Sequence, residues 1–461
     1  MSTQRERVEL KQQGSEGSRG SGLVVGVNYD DPAVQYRGER VLSLIKKLVS
    51  NDMLPEFVDN EFAVSTYYLF FLPVPMLNTS IVRSEKGAIK YRILSSMISS
   101  ERFEEVRKYT IADSTTSMVV SAVFVESLIR ELHNQMRSMP GSNQYNTGRG
   151  RETSAASLMQ NESQLSRAVN RALQAAWVHA ETAKQIQMLA AKFVAGTGSS
   201  FSLEDSVADV LKLAKNTDVR NILEMLKSIE DGEARFKRRV RRSPRGELDG
   251  YELGSDVERM VPSELALPLD FLLYKYSEGS LLLYKKVLPE SNGPIYVLLD
   301  KSGSMMGTKI LWAKAVALAL AQRAARERRD YYVRFFDSIP YPPLRLSKNA
   351  RGRDLIKLLD YVARIRANGG TDITRAILAA LEDISNTRRR GPSDIILITD
   401  GEDKVTIDAV RRGLIRVNAR LHTVMIQGNN PDLRLVSESY MSVMKLSKEE
   451  ALKVVTLPSE K

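Results

Sequence analysis

Asp300-Lys301-Ser302-Gly303-Ser304 follows directly on the apolar run Ile295-Tyr296-Val297-Leu298-Leu299. The run reads as a buried parallel strand. The loop that leaves it sets one carboxylate and two hydroxyls on alternate positions of one turn, aiming three hard oxygen donors at one spot. Such a loop suits a small hard cation, because Mg²⁺ takes oxygen ligands and keeps several of its waters. Two further segments carry donors of the same kind. Asn368-Gly369-Gly370-Thr371-Asp372 is a glycine turn that presents a hydroxyl just before a helix, and Ile395-Ile396-Leu397-Ile398-Thr399-Asp400-Gly401-Glu402 is a second buried strand ending in an acid and a glycine. In open α/β sheets, residues at the carboxyl ends of parallel strands converge at a topological switch point.

Other chemistries find little support. The histidines are His133, His179 and His422, scattered along the chain and read as structural or exposed. No lysine follows a glycine-rich turn in the manner of a P-loop, so the chain is not expected to hydrolyse ATP by itself. A metal held by two carboxylates can activate water, but no separate base stands beside these loops, and the chain is read as a non-enzyme. With no cysteine among 461 residues, disulfides, thiolate metal sites and thiol catalysis are excluded.

The elements that must position the three segments come from the hydrophobic periodicity. From residue 293 onward short apolar runs alternate with helical patterns. The expected strands are Ile295–Leu299, 331–336, 344–346, 395–399, 421–426 and 443–446; the helices are 308–326, 353–364, 373–385 and 405–416. Alternation of this type predicts a Rossmann-like, doubly wound, mainly parallel sheet covered on both faces. Residues 23–235 read instead as an all-α region, with helical stripes over 36–54, 57–72, 115–136 and 154–194, and shorter helices over 203–213 and 219–229. Residues 85–109 fit helix or loop, 140–151 a loop, and 196–200 a helix stop. Residues 1–22 are polar and read as a disordered tail without the apolar core of a signal peptide, which fits a cytoplasmic protein. The apolar stretch 67–76 is too short to span a bilayer. Between the two regions, 236–292 reads as a basic linker and a junction that packs on the sheet domain; its charge run is Lys237, Arg238, Arg239, Arg241, Arg242 and Arg245. The formal net charge of +11 and the 43% hydrophobic content describe a globular protein with a basic surface.

The three loop segments together resemble the von Willebrand factor A (VWA) domain and its metal-ion-dependent adhesion site, the MIDAS. By that resemblance Asp300, Ser302 and Ser304 are first-loop ligands, Thr371 the second-loop ligand and Asp400 the third-loop ligand of Mg²⁺ or another divalent cation such as Mn²⁺ or Ca²⁺. One position would stay open for a partner's Asp or Glu. Lys301 fills a variable slot and is expected to point away from the metal. Asp372 is expected to cap the helix that follows it, and Glu402 and Asp403 to lie in a solvated loop.

Upstream, Arg239-Val240, the segment from Asp256 to Leu267, Glu278-Gly279-Ser280-Leu281-Leu282-Leu283-Tyr284 and Gly293-Pro294-Ile295 are similar to ViaA and CoxE-like VWA proteins. That resemblance implies a metal-dependent protein-binding adaptor working with a MoxR-type AAA+ ATPase on a client protein, in protein remodelling or metal-cofactor assembly. An RNA-binding protein of the Ro type, which also joins a helical region to a VWA domain, is the competing reading; an adhesion protein is disfavoured by the missing cysteines.

Overall fold

In a computed structural model of the chain the described residues are 22–79, 84–138, 162–194, 204–230, 240–289, 293–387 and 391–457. The tail 1–21, the loop 140–151, residues 154–161 of the long helical pattern, the helix stop 196–200 and the first part of the basic run, 236–239, lie outside them. The chain forms two compact units: one takes the chain up to Leu223 together with Arg351–Asp360, and the other takes Glu224–Ala350 and the chain from Tyr361 onward.

The first unit is helical. α1 (Pro32–Leu48) begins where the Asp31 side chain accepts the Ala33 N–H, with Pro32 in the first turn, where a missing N–H leaves no bond unmade. α2 (Asn60–Phe71) is buried at every residue from Phe62 to Phe70, as a helix apolar on all sides must be. α3 (Glu85–Ile98) and α4 (Glu101–Thr110) lead to α5 (Ser114–Ser138) and α6 (Glu162–Val194). The stripe Met118, Ala122, Val125, Leu128, Ile129 and Leu132 of α5 is buried, and α5 packs along α6. The buried charges are compensated: Lys90 sits 2.6 Å from both Asp59 and Glu61, and Lys184 lies 2.6 Å from Asp113. α7 (Val207–Ala214) and α8 (Thr217–Glu230) follow.

The second unit opens with a two-stranded antiparallel ribbon, β1 (Val240–Gly254) with β2 (Leu281–Pro289), whose register shifts between Arg242 and Glu247 and again between Leu248 and Tyr251. Where the sequence reads as a linker, the chain from Val240 is a strand, because Leu281–Pro289 supplies a partner for its backbone. Between the strands, α9 (Leu269–Ser277) contains no buried residue, and Leu269, Phe271, Leu273, Tyr274 and Tyr276 are all exposed. The apolar side chains of α9 face outward, while Val261, Leu281 and Leu283 on either side of it are buried.

The sheet itself has six strands in the order β5-β4-β3-β6-β7-β8. They are β3 (Ile295–Asp300), β4 (Tyr331–Phe336), β5 (Leu344–Leu346), β6 (Ser393–Thr399), β7 (Ala419–Ile426) and β8 (Ser439–Val443). All pairs are parallel except β4 with β5. β3 and β6 are buried at every position, the continuous apolar pattern of a strand covered on both faces. Tyr296 and Leu298 point to one face, against Ile373, Ile377 and Leu381 of α12 (Ile373–Ser385) and Leu414 of α13 (Ile407–Val417). α10 (Thr308–Arg326), which follows the first loop, contacts β3 and β4. α14 (Pro431–Val436) and α15 (Lys448–Thr456) complete the set, and α11 (Gly352–Arg364) belongs to the first unit as far as Asp360. The last strand is Ser439–Val443 rather than 443–446. As an edge strand it buries only Val443, so its mixed sequence lacks the apolar run that marks the others.

Within the described residues the fold is therefore a helical N-terminal region followed by a C-terminal α/β domain with a mainly parallel sheet. Among those residues, no helix is long and apolar enough to cross a membrane.

Candidate functional site

The chain runs from β3 outward to β4 and β5, then returns to the other side of β3 to lay down β6. The switch point therefore falls between β3 and β6, where neighbouring strand ends diverge and leave a crevice. Asp300 ends β3 and Asp400 follows β6, so the topology alone puts the two carboxylates on either side of that crevice.

Hydrogen bonds then fix the first loop. Asp300 is fully buried; its Oδ1 accepts the Ser302 N–H at 2.8 Å and its Oδ2 accepts the Thr399 hydroxyl at 2.5 Å. Ser302 Oγ lies 3.1 Å from Ser304 Oγ, and Ser304 Oγ donates to Asp400 Oδ1 at 2.7 Å, joining the first loop to the third. The second loop is tied down by backbone: Gly303 N–H donates to Gly369 O at 3.0 Å and Asn368 N–H to Lys301 O at 2.6 Å. Gly369 has φ +99, and a Cβ there would stand 2.9 Å from Asp337 Oδ2, so only glycine lets this turn pass. The third contact is between loops two and three: a Cβ on Gly401 would stand 2.9 Å from Thr371 Cγ2, 3.2 Å from Thr399 Oγ1 and 3.5 Å from Asp300 Oδ2. The structure thus brings Asp300, Ser302, Ser304, Thr371 and Asp400 together.

Burial pushes the Asp300 carboxyl above its ordinary value; the hydrogen bonds from Thr399 and Ser302 work against this, and the charge of Asp400 adds to it. A buried carboxylate beside a second carboxylate calls for a positive charge. The donors fit a hard divalent cation: two carboxylates and three hydroxyls, all oxygen, from three loops. Among the described residues no group of three or more His, Cys, Asp or Glu could hold a metal ion; this set reaches five donors only through its hydroxyls.

The neighbours divide into supports and bystanders. Lys301 turns aside, as its slot in the motif predicts: its ammonium pairs with Asp337 at 2.7 Å, reaches Asn368 O at 3.2 Å and lies over the Tyr341 ring. It thereby holds the second loop. Asp372 caps α12 by accepting the Arg375 N–H at 2.8 Å. Asp403, expected in a solvated loop, instead accepts the Ile373 N–H at 3.3 Å. Three supports escape a reading by motif: Thr399, Asp337 and Lys309, whose Nζ is 2.7 Å from Asp400 Oδ2. Thr399 carried a signal, a hydroxyl at the last residue of a buried strand; Lys309 looked like any helix lysine. Of the histidines, His179 bonds to Ala214 O at 2.9 Å and His422 faces Asp394 at 3.4 Å.

Residues 295–402 match the profile of the von Willebrand factor type A domain. The C-terminal region is a VWA domain. VWA domains are generally protein-interaction modules, often metal-dependent. Over a longer span, an uncharacterised protein of Methanocaldococcus jannaschii is 25% identical over 437 residues, covering 89% of this chain and 93% of its own length. The heavy chain 4 of inter alpha-trypsin inhibitor from Mus musculus is 32% identical over 139 residues, 29% of this chain and 14% of that protein. Among solved structures, the von Willebrand factor type A protein from Catenulispora acidiphila shares 21% identity over 37% of this chain and 42% of its own, with a TM-score of 0.29.

The packing inside the VWA domain gives a direct test of the second loop's place. Gly401→Ala drives a methyl group against Thr371 Cγ2 and Thr399 Oγ1, an overpacking that costs about 1–3 kcal/mol. Isothermal titration with Mn²⁺ should show a corresponding loss of affinity, while the circular dichroism spectrum stays that of the wild type.

Proposed function

We propose that the chain is a non-enzymatic adaptor that captures an acidic residue of a partner protein through a divalent cation held by Asp300, Ser302, Ser304, Thr371 and Asp400. The convergence of these five side chains at the crevice between β3 and β6 is the observation that supports this most. Mg²⁺, or Mn²⁺ or Ca²⁺ in its place, supplies when bound a Lewis-acidic position for a visiting carboxylate. The chain's own residues do the rest. Asp300 and Asp400 provide two negative charges, and Ser302, Ser304 and Thr371 provide neutral oxygens. The net charge of the loaded centre is then near zero, and an incoming Asp or Glu is not repelled. Thr399 and the Ser302 N–H orient Asp300, and the Lys301–Asp337 pair holds the second loop.

The finer reading rests on the resemblance of the upstream segments to ViaA and CoxE-like proteins. On that footing the partner is a MoxR-type AAA+ ATPase, the site is cytoplasmic, and the work is protein remodelling or metal-cofactor assembly on a client held between them. The VWA domain takes one partner and the helical region the other. The ATPase supplies the energy, so the purified chain alone should not turn over ATP.

Co-purification with the MoxR-type ATPase of the same organism tests this. Binding should survive 0.5 M salt, vanish with EDTA and return with Mg²⁺. Binding of a single-stranded RNA that survives EDTA and falls steeply with salt would instead favour the Ro-type reading.

A further inference from the structure

Lys309 is not needed by the reading above, yet it reaches the centre of the site. Its ammonium lies 2.7 Å from Asp400 Oδ2, while Asp400 Oδ1 accepts the Ser304 hydroxyl at 2.7 Å. Both oxygens of the third-loop carboxylate are therefore engaged by the chain's own donors. The Asp400 side chain is only 3% exposed and that of Lys309 is 23% exposed. Asp400 is enclosed, whereas the Lys309 side chain keeps part of its surface exposed.

The position of Lys309 is unfavourable on local grounds. It is the second residue of α10, whose first turn holds no acidic side chain. The amino end of a helix carries partial positive charge and disfavours a cation. Something must offset this, and among the described residues the charge that pairs with the ammonium is Asp400. Asp400 in turn adds to the upward push on the buried Asp300 carboxyl, so a positive charge at this spot relieves both acids. A flexible four-carbon stem lets the ammonium leave without moving the helix.

Resting on the metal-site reading, we propose that Lys309 is a resident counter-cation. Its ammonium neutralises Asp400 in the metal-free protein, and a divalent cation binds by exchange with it. The ammonium swings to solvent as the cation takes its place beside Asp400, with no bond made or broken beyond the ion pair. Lys309 so weakens cation binding while it protects the site between loadings. Lys309 is a regulating residue of the site, and its charge, not its stem, is what counts.

The test uses the full chain as Lys309→Met and Lys309→Arg. Isothermal titration with Mn²⁺ should show Lys309→Met binding about fivefold more tightly than wild type, since a partly exposed ion pair is worth about 1 kcal/mol. In EDTA, Lys309→Met should unfold at a lower temperature than wild type, and saturating Mn²⁺ should close the gap. Lys309→Arg should follow wild type in both. Equal or weaker Mn²⁺ binding by Lys309→Met overturns the exchange. If neither wild type nor Lys309→Met binds Mn²⁺, the metal reading has failed, and the melts in EDTA decide the rest: a lower midpoint for Lys309→Met retains the counter-cation, and an unchanged one removes it.

Discussion

Asp300→Asn abolishes divalent-cation binding and leaves the metal-free protein at least as stable as the wild type. Both halves follow from the burial of one carboxylate. Asp300 is the fully buried member of the donor set, at the end of the central strand. Asparagine keeps its shape and one oxygen but brings no charge. Loss of a supporting residue around a metal already costs about 10–100-fold in affinity, and loss of a charged ligand should cost more. Titration with Mn²⁺ should show no measurable heat.

The stability half has a definite sign. Burial raises the Asp300 carboxyl above its ordinary value, so the folded state holds this proton more tightly than the unfolded state does. Stability therefore falls as pH rises through the folded-state value, and the cost of the bare charge is present in full above it. Asp300→Asn removes that cost. Thermal unfolding in EDTA across pH 4–8 should show the wild type losing stability relative to the variant as pH rises, with Mn²⁺ reversing the order for the wild type alone. A variant that melts well below wild type in EDTA would mean that Asp300 serves the fold rather than a ligand.

The second large effect lies at the opposite end of the same strands. Arg329, 5% exposed, donates from Nη2 to Asp394 Oδ2 at 2.6 Å and from Nε to Gly293 O at 2.6 Å. His422 approaches the other Asp394 oxygen at 3.4 Å. This buried cluster ties the start of β3 to β6 and β7. Removing one partner of such a pair strands a buried charge, at about 3–5 kcal/mol. Asp394→Ala should therefore be among the most destabilising single changes in the VWA domain. The double change Asp394→Leu with Arg329→Met should recover much of the loss, since apolar replacement of both partners is tolerated.

The pH dependence runs opposite to that of Asp300. Burial alone would raise the Asp394 carboxyl, but His422 and Arg329 outweigh it and hold it below the ordinary value. Its contribution is present above the unfolded carboxylate value, about 3.9, and is lost as pH falls through the lower folded value. Chemical denaturation at pH 7 and pH 3 should show a smaller difference for Asp394→Ala than for wild type.

The sheet was legible because β3 and β6 are short apolar runs bounded by loops, and their carboxyl ends carry the oxygen donors. Given a parallel sheet, topology brings the three loops to one crevice, and the resemblance to the MIDAS names the five proposed donors. What escaped has physical reasons. β8 is an edge strand with one buried residue, so it leaves no apolar run. α14 and α15 are too short for periodicity, although Asn430-Pro431 and the Ser447–Glu450 capping box mark their starts. β1 carries a charge run that reads as linker, and only its pairing with β2 makes it a strand. Lys309 and Asp337 act through partners 91 and 36 residues away, respectively, and spacing within a motif says nothing of such contacts.

Diffraction from crystals of the full chain grown in Mn²⁺, measured at the manganese absorption edge, tests the metal centre most directly. An anomalous peak should lie in the crevice between β3 and β6, within about 2.0–2.6 Å of oxygens drawn from Asp300, Ser302, Ser304, Thr371 and Asp400 or of waters they hold, with the Lys309 ammonium turned away from Asp400. A map at saturating Mn²⁺ with no peak there, and with Lys309 still paired to Asp400, would contradict it.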